Sequence, residues 1–187
     1  MKRFLFAGAF VAGLLPGVAL ADANDDNTLC YEQFRSGNDK AAIDYCTKAI
    51  DSGQLAKEDL VAAFINRGVA FRNLGNSKQA VVDYTAALKN APNDAMIYAN
   101  RANARRDIGD LDLALADADK AIKLDSKRDA SFFVRGAVYE ALNRLDSARR
   151  DYMQALTLDP TNRDYQDRIL AIDNKRARRA QQGGGTR

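Results

Sequence analysis

Histidine is absent from the 187-residue chain. Without it, no histidine general base, Ser–His or Cys–His dyad, His-ligated metal or haem can form. Tryptophan is also absent, aromatics reach only 8%, and there are three prolines. Those shortages exclude an aromatic carbohydrate platform and a proline-rich linker. Two cysteines without a Cys-x-x-Cys spacing make a poor zinc or thioredoxin-like site. The expectation is a non-catalytic protein that needs no cofactor and no metal. What is plentiful is ordinary: 47% apolar and 28% charged residues, the balance of a soluble globular chain.

The first twenty-one residues read as a secretory signal peptide. Lys2 and Arg3 supply the basic start, Phe4 to Leu15 the uncharged apolar run, and Ala19-Leu20-Ala21 the small residues a signal peptidase reads. As a membrane span the run is short, since about 20 predominantly apolar residues are needed; an uncleaved anchor is the alternative. Cleavage after Ala21 would place the mature chain in a periplasm or outside the cell. Residues 22–173 then carry 21 basic against 25 acidic residues. From Asn174 onward there are Lys175, Arg176, Arg178, Arg179 and Arg187 and no acid. The body is mildly acidic and the end is basic. That basic run fits a helix end complementing its dipole, or a weak contact with anionic lipid; nucleic acid is not the expected partner.

Three segments of 34 residues, 61–94, 95–128 and 129–162, align without a gap. The first carries Phe64, Arg67-Gly68, Phe71, Ala80, Tyr84, Ala87 and Pro92. The third carries Phe132, Arg135-Gly136, Tyr139, Ala148, Tyr152, Ala155 and Pro160 at the same offsets. These residues resemble the tetratricopeptide repeat, in which helix A presents an aromatic, a small residue and an aromatic, and helix B an Ala, an aromatic and an Ala before a Pro. Position 15 should end helix A in a left-handed conformation, and Gly37, Gly75, Gly109 and Asn143 stand there. The middle repeat is weaker, because Arg105 and Ala118 replace aromatics and Ser126 replaces the Pro. It is either the softest joint or filled by Leu111, Leu113 and Leu115.

A degenerate repeat over 22–60 precedes these, with a long connection across Asp51–Leu60. Residues 163–180 form a capping helix whose apolar stripe is Tyr165, Ile169 and Ile172, and the glycine-rich 181–187 reads as a disordered tail. The resemblance implies an all-α, right-handed α-solenoid of helix-turn-helix repeats with a C-terminal capping helix, of the kind found in exported bacterial proteins with such repeats.

Three sets of site residues follow from the register. Cys30 and Cys46 fall at positions 8 and 24, which face each other across a helix pair. In an exported chain that favours a disulfide over a redox or metal role. Arg67, Arg101 and Arg135 recur at position 7, and Asp83, Asp117 and Asp151 at position 23. Their joint recurrence favours structural ion pairs over an anion-binding ladder. The concave groove, in the resemblance, collects Ile65, Asn66, Val69, Arg72 and Asn73, then Met96, Ala99, Asn100, Asn103 and Arg106, then Phe133, Ala137 and Glu140. Asn66 and Asn100 share position 6, where an amide can match a peptide unit without reading its side chain; a merely solvated helix face is the alternative.

One subfamily grips the C-terminal carboxylates of chaperones with a clamp. Here Asn100 fits that clamp, but Ile65, Val69, Ala130 and Val134 occupy the other four positions. The implied function is a scaffold binding a peptide or protein segment in the groove within the cell envelope. The alternative is a structural module that associates, as a homodimer for instance, through its capping helix or convex face.

Overall fold

A computed structural model describes residues 22–183, so the signal segment and residues 184–187 lie outside the described residues. The described chain is nine α-helices and no strand. They run as antiparallel pairs: α1 (Ala23–Arg35) with α2 (Asp39–Asp51), α3 (Lys57–Asn73) with α4 (Ser77–Asn90), α5 (Ala95–Asp107) with α6 (Leu111–Leu124), and α7 (Asp129–Ala141) with α8 (Leu145–Leu158). A last helix, α9 (Arg163–Gly183), packs on α8.

Each pair is folded back by the same turn. Gly37, Gly75 and Gly109 have φ of 74°, 80° and 85°, and Asn143 has φ of 61°. The residue after each donates its N–H to a carbonyl five residues back, at 2.8–2.9 Å: Asn38 to Gln33, Asn76 to Phe71, Asp110 to Arg105 and Arg144 to Tyr139. This Schellman closure satisfies helix-end carbonyls and needs a left-handed residue, which Gly adopts freely and Asn tolerates.

The two helices of a pair meet at positions 8 and 24, and the four pairs solve that contact in three ways. In the second and fourth pairs, Gly68 faces Tyr84 and Gly136 faces Tyr152. A Cβ on either glycine would lie 2.8 Å or 2.7 Å from the opposing ring. Both tyrosines are almost wholly buried. In the third pair Ala102 and Ala118 take these places, both fully buried. The first pair uses Cys30 and Cys46, bonded as a disulfide with Cα atoms 4.7 Å apart.

Successive first helices also pack on one another, α1 on α3 and α5 on α7, with α3 touching α5 more sparsely. The second helices have no comparable mutual contacts, so the first helices line the inner face of the stack.

Three expectations change. Residues 57–60 are not connection but an added turn at the start of α3. The capping helix runs three residues past its expected end, to Gly183, so the glycine-rich tail does not begin at Gln181. In the middle repeat Leu113 does not fill the space of the missing aromatic, being 52% exposed, while Leu111 and Leu115 are half-buried. Arg105 occupies that place and reaches Asp117 Oδ2 at 2.7 Å and the Leu113 carbonyl at 3.4 Å.

Candidate interaction groove

The position-7 arginines are committed to holding the stack together. Arg67, Arg101 and Arg135 each donate Nε and Nη2 to both oxygens of Asp83, Asp117 and Asp151, at 2.7–2.9 Å. Each guanidinium also lies over the aromatic three residues earlier, with 5.7, 5.5 and 5.7 Å to the centroids of Phe64, Tyr98 and Phe132. The remaining Nη1 reaches back to position 25 of the preceding repeat: Thr47 Oγ1 at 3.0 Å, Thr85 Oγ1 at 3.1 Å and Asp119 Oδ1 at 2.8 Å.

A bidentate charged pair therefore closes each repeat, and a third bond ties it to its neighbour. Burial pushes the Asp83 carboxyl upward, with Arg67 opposing it. The hydrogen bond to Asp151 holds the Arg135 guanidinium charged against its partial burial. None of these arginines is free to serve an incoming anion.

The inner face divides into an open and a closed part. Asn66, Asn100 and Asn103 are half-buried, and their amides make no side-chain hydrogen bond among the described residues. They are the unspent polar groups of the groove. Ile65 and Val69 pack half-buried against the cluster containing Tyr84, Ile97 and Ala104 and form its apolar wall. Arg72 crosses from α3 to α5, its Nε 2.7 Å from Asp107, and Arg106 bonds the same carboxylate at 2.9 Å. Asn73 instead reaches back to Asp39 at 3.1 Å.

Three of the expected groove residues lie elsewhere. Ala99 is 5% exposed and packs with Ala102, Ala118, Ala121 and Val134, because close approach of α5 and α7 leaves it no free surface. Met96 sits at the start of α5 and borders a separate cleft of about 390 Å³ with Leu124 and Arg128. Phe133 stacks between Tyr152 and Tyr165, with centroids at 5.5 and 5.1 Å.

Glu140 is engaged by the cap: Lys175 Nζ at 3.0 Å, Arg168 Nη1 at 3.8 Å, and the Tyr152 hydroxyl donating at 3.1 Å. Burial works against the Glu140 carboxylate, but those hydrogen bonds and the two cations hold its pKa below the usual range. Ala137 stays partly open and forms the floor of a cavity of about 320 Å³ between α5, α7 and α9.

The cap's apolar stripe is spent within the chain. Tyr165 and Ile172 are buried, Ile169 packs against Leu145, Ala148 and Tyr152, and the Tyr165 hydroxyl donates to Asp129 Oδ2 at 2.5 Å. Tyr165 and Ile172 therefore offer no face to a second copy, and Ile169 is half-buried. Among the described residues no helix is long and apolar enough to cross a membrane.

Sequence models described as "Tetratricopeptide repeat" match residues 65–129 and 130–162, together just over half of the chain. The chain belongs to the tetratricopeptide repeat family. Hsp70-Hsp90 organizing protein 3 of Arabidopsis thaliana is 34% identical over 91 residues, which is 49% of this chain and 16% of that protein. The chain thus spans only a small part of such curated relatives.

The second such domain of human RPAP3, solved in complex with the HSP70 peptide SGPTIEEVD, is 27% identical with a TM-score of 0.58. That match covers 63% of this chain and 98% of the other. MamA from Desulfovibrio magneticus RS-1 shares the fold over more of the length, with a TM-score of 0.69 at 20% identity, covering 83% of this chain and 85% of that one.

Proposed function

We propose that this tetratricopeptide protein is a non-catalytic scaffold that receives an extended segment of a partner protein in its groove, in the cell envelope after export. The observation that carries the reading is the row of unspent amides, Asn66 on α3 and Asn100 and Asn103 on α5. Each offers a donor and an acceptor to a passing peptide unit, beside the apolar wall of Ile65 and Val69.

The relatives that hold chaperone tails support peptide capture as the task, and the residues here argue for a different grip. Positions that a carboxylate clamp would fill with basic and amide side chains are Ile65, Val69, Ala130 and Val134, and Val134 is only 4% exposed. A chain terminus gripped there would lose its solvation without gaining a charged partner.

Export is supported by the three-part leader over residues 1–21 and by the buried Cys30–Cys46 pair, which an oxidising compartment would keep bonded. Crosslinking in the native envelope followed by mass spectrometry identifies the partner. Asn66→Ala with Asn100→Ala should abolish its capture while leaving helix content unchanged. Undiminished capture by the double variant would refute the groove as the site. N-terminal sequencing of the mature protein should begin at Asp22, and a chain beginning at Met1 would refute cleavage.

A further inference from the structure

Beyond the amides, the inner face ends in a pole of charge that no single repeat contains. Arg106 comes from α5, and Arg168 and Lys175 from α9. They border one cavity of about 320 Å³ whose floor is made of the small side chains Ala137 and Ala141. Arg72 stands beside it through the carboxylate it shares with Arg106. Two carboxylates serve these four cations: Asp107 bridges Arg72 and Arg106, and Glu140 bridges Arg168 and Lys175. The pole therefore holds two positive charges in excess. That sign opposes the body as a whole, where acids outnumber bases by 25 to 21 over residues 22–173.

We infer that the groove selects a partner segment carrying an internal acidic side chain, whose carboxylate seats in the cavity between Arg106, Arg168 and Lys175 while the adjoining backbone lies along Asn103, Asn100 and Asn66. This inference rests on the groove reading above and adds the chemistry of the partner. The cations are partly exposed, with side-chain exposures of 23% for Arg106, 55% for Arg168 and 53% for Lys175, so a carboxylate can reach them without dismantling the fold.

Glu140, at 20%, already occupies one side of the cavity and shows that a carboxylate is accommodated there. A polyanion fits less well. The excess is only two charges, confined to one cavity rather than spread along a track.

The test uses a short alanine–serine peptide, acetylated and amidated at its ends, with a central pair of glutamates, and its twin with glutamines. Both are titrated into the 15N-labelled oxidised protein. The glutamate peptide should saturably shift the Arg106 and Arg168 side-chain resonances together with the Asn100 and Asn103 amides. The glutamine twin should bind at least about tenfold more weakly, as expected when a charge-assisted hydrogen bond is lost.

Arg106→Gln and Arg168→Gln should each reduce affinity for the glutamate peptide to a similar degree. Both should fold, because Asp107 keeps Arg72 and Glu140 keeps Lys175 and the Tyr152 hydroxyl. Glu140→Gln should raise affinity, since it removes the resident competitor.

Equal binding of both peptides with shifts at the asparagines would overturn the acidic selectivity and leave the groove reading standing. Absence of saturable shifts with either peptide, with the natural partner crosslinked outside the inner face, would overturn both. Shifts from an oligonucleotide or anionic vesicles in the same cavity, without shifts from the glutamate peptide, would also overturn it.

Discussion

Replacing Gly136 with alanine sets two known effects against each other, and the structure decides which is larger. In a helix interior alanine is favoured over glycine by about 1 kcal/mol. Against that, the new Cβ would sit 2.7 and 2.8 Å from two ring carbons of Tyr152 and 3.3 Å from the Ala148 carbonyl. The ring has little freedom to retreat: Tyr152 is fully buried, Phe133 packs on it at 5.5 Å, and its hydroxyl is bonded to Glu140. Overpacking of a core costs about 1–3 kcal/mol, and the upper half of that range applies where neither partner can move.

The net expectation for Gly136→Ala is a loss of about 1–2 kcal/mol, a fall in Tm of about 2–8 °C for a chain of this size. Urea denaturation of the oxidised protein followed by circular dichroism measures it. In a double-mutant cycle, Tyr152→Ala alone should cost about 3–5 kcal/mol. The pair Gly136→Ala and Tyr152→Ala should cost less than the sum of the singles, because it recreates the small–small joint of Ala102 and Ala118. Gly136→Ala that is neutral or stabilising, or strict additivity in the cycle, would refute the claim that glycine is there for close approach.

Other outcomes follow from the ion pairs and the staple. Asp117→Ala strands Arg101 and Arg105, whose side chains are 13% and 16% exposed, and should cost about 3 kcal/mol. Asp119→Ala, at a carboxylate 53% exposed, should cost less than about 1 kcal/mol; equal losses would contradict the assignment of the buried pairs. Reducing the Cys30–Cys46 bond, whose partners are 16 residues apart, should remove about 3 kcal/mol from the first pair. Hydrogen exchange should then quicken in α1 and α2 and stay slow in α5 to α8, whereas uniform quickening would mean that the repeats do not behave as neighbouring units.

Acid should loosen the cap. Glu140 is held below its ordinary 4.5 and Asp173, bonded by Arg149, below 3.8, so their contribution is complete above those values and is lost as pH falls through the lower folded ones. Pepsin cleavage within α9 should rise as pH falls below about 4.5 more steeply in the native chain than in Glu140→Gln, and identical profiles would refute the link.

Much of the architecture was written in residues that recur. Gly75, Gly109 and Asn143 announce the turns, and the Arg–Asp pairs sixteen residues apart announce how helix A meets helix B, since both partners repeat together. What escaped was whatever depends on residues that do not recur. The third bond of each arginine lands on Thr47, Thr85 or Asp119, and such a mixed column carries no visible period. Phe133 has a groove offset but α9 covers it, Glu140 is tied to α9 by Lys175 at the edge of the cavity, and only the folded chain shows how far the cap reaches. Arg105 looked like a lost aromatic. In the fold its side chain is largely buried at that position, 16% exposed, with its charge led to Asp117.

The arginine rungs also set where the solenoid can flex. Within a repeat each rung is a two-bond charged fork, which resists both shear and twist. Between repeats it is a single bond, to a neutral hydroxyl at the first two junctions and to a carboxylate at the third. Compliance is therefore greatest toward the N-terminal side. At the junction of α3 with α5 the first helices also touch most sparsely. Asn66 and Asn100 stand on opposite sides of that junction. Small bending there widens or narrows the span between the two amides, so the part of the groove with unspent hydrogen bonds is also the part whose gauge can adjust to the segment it holds.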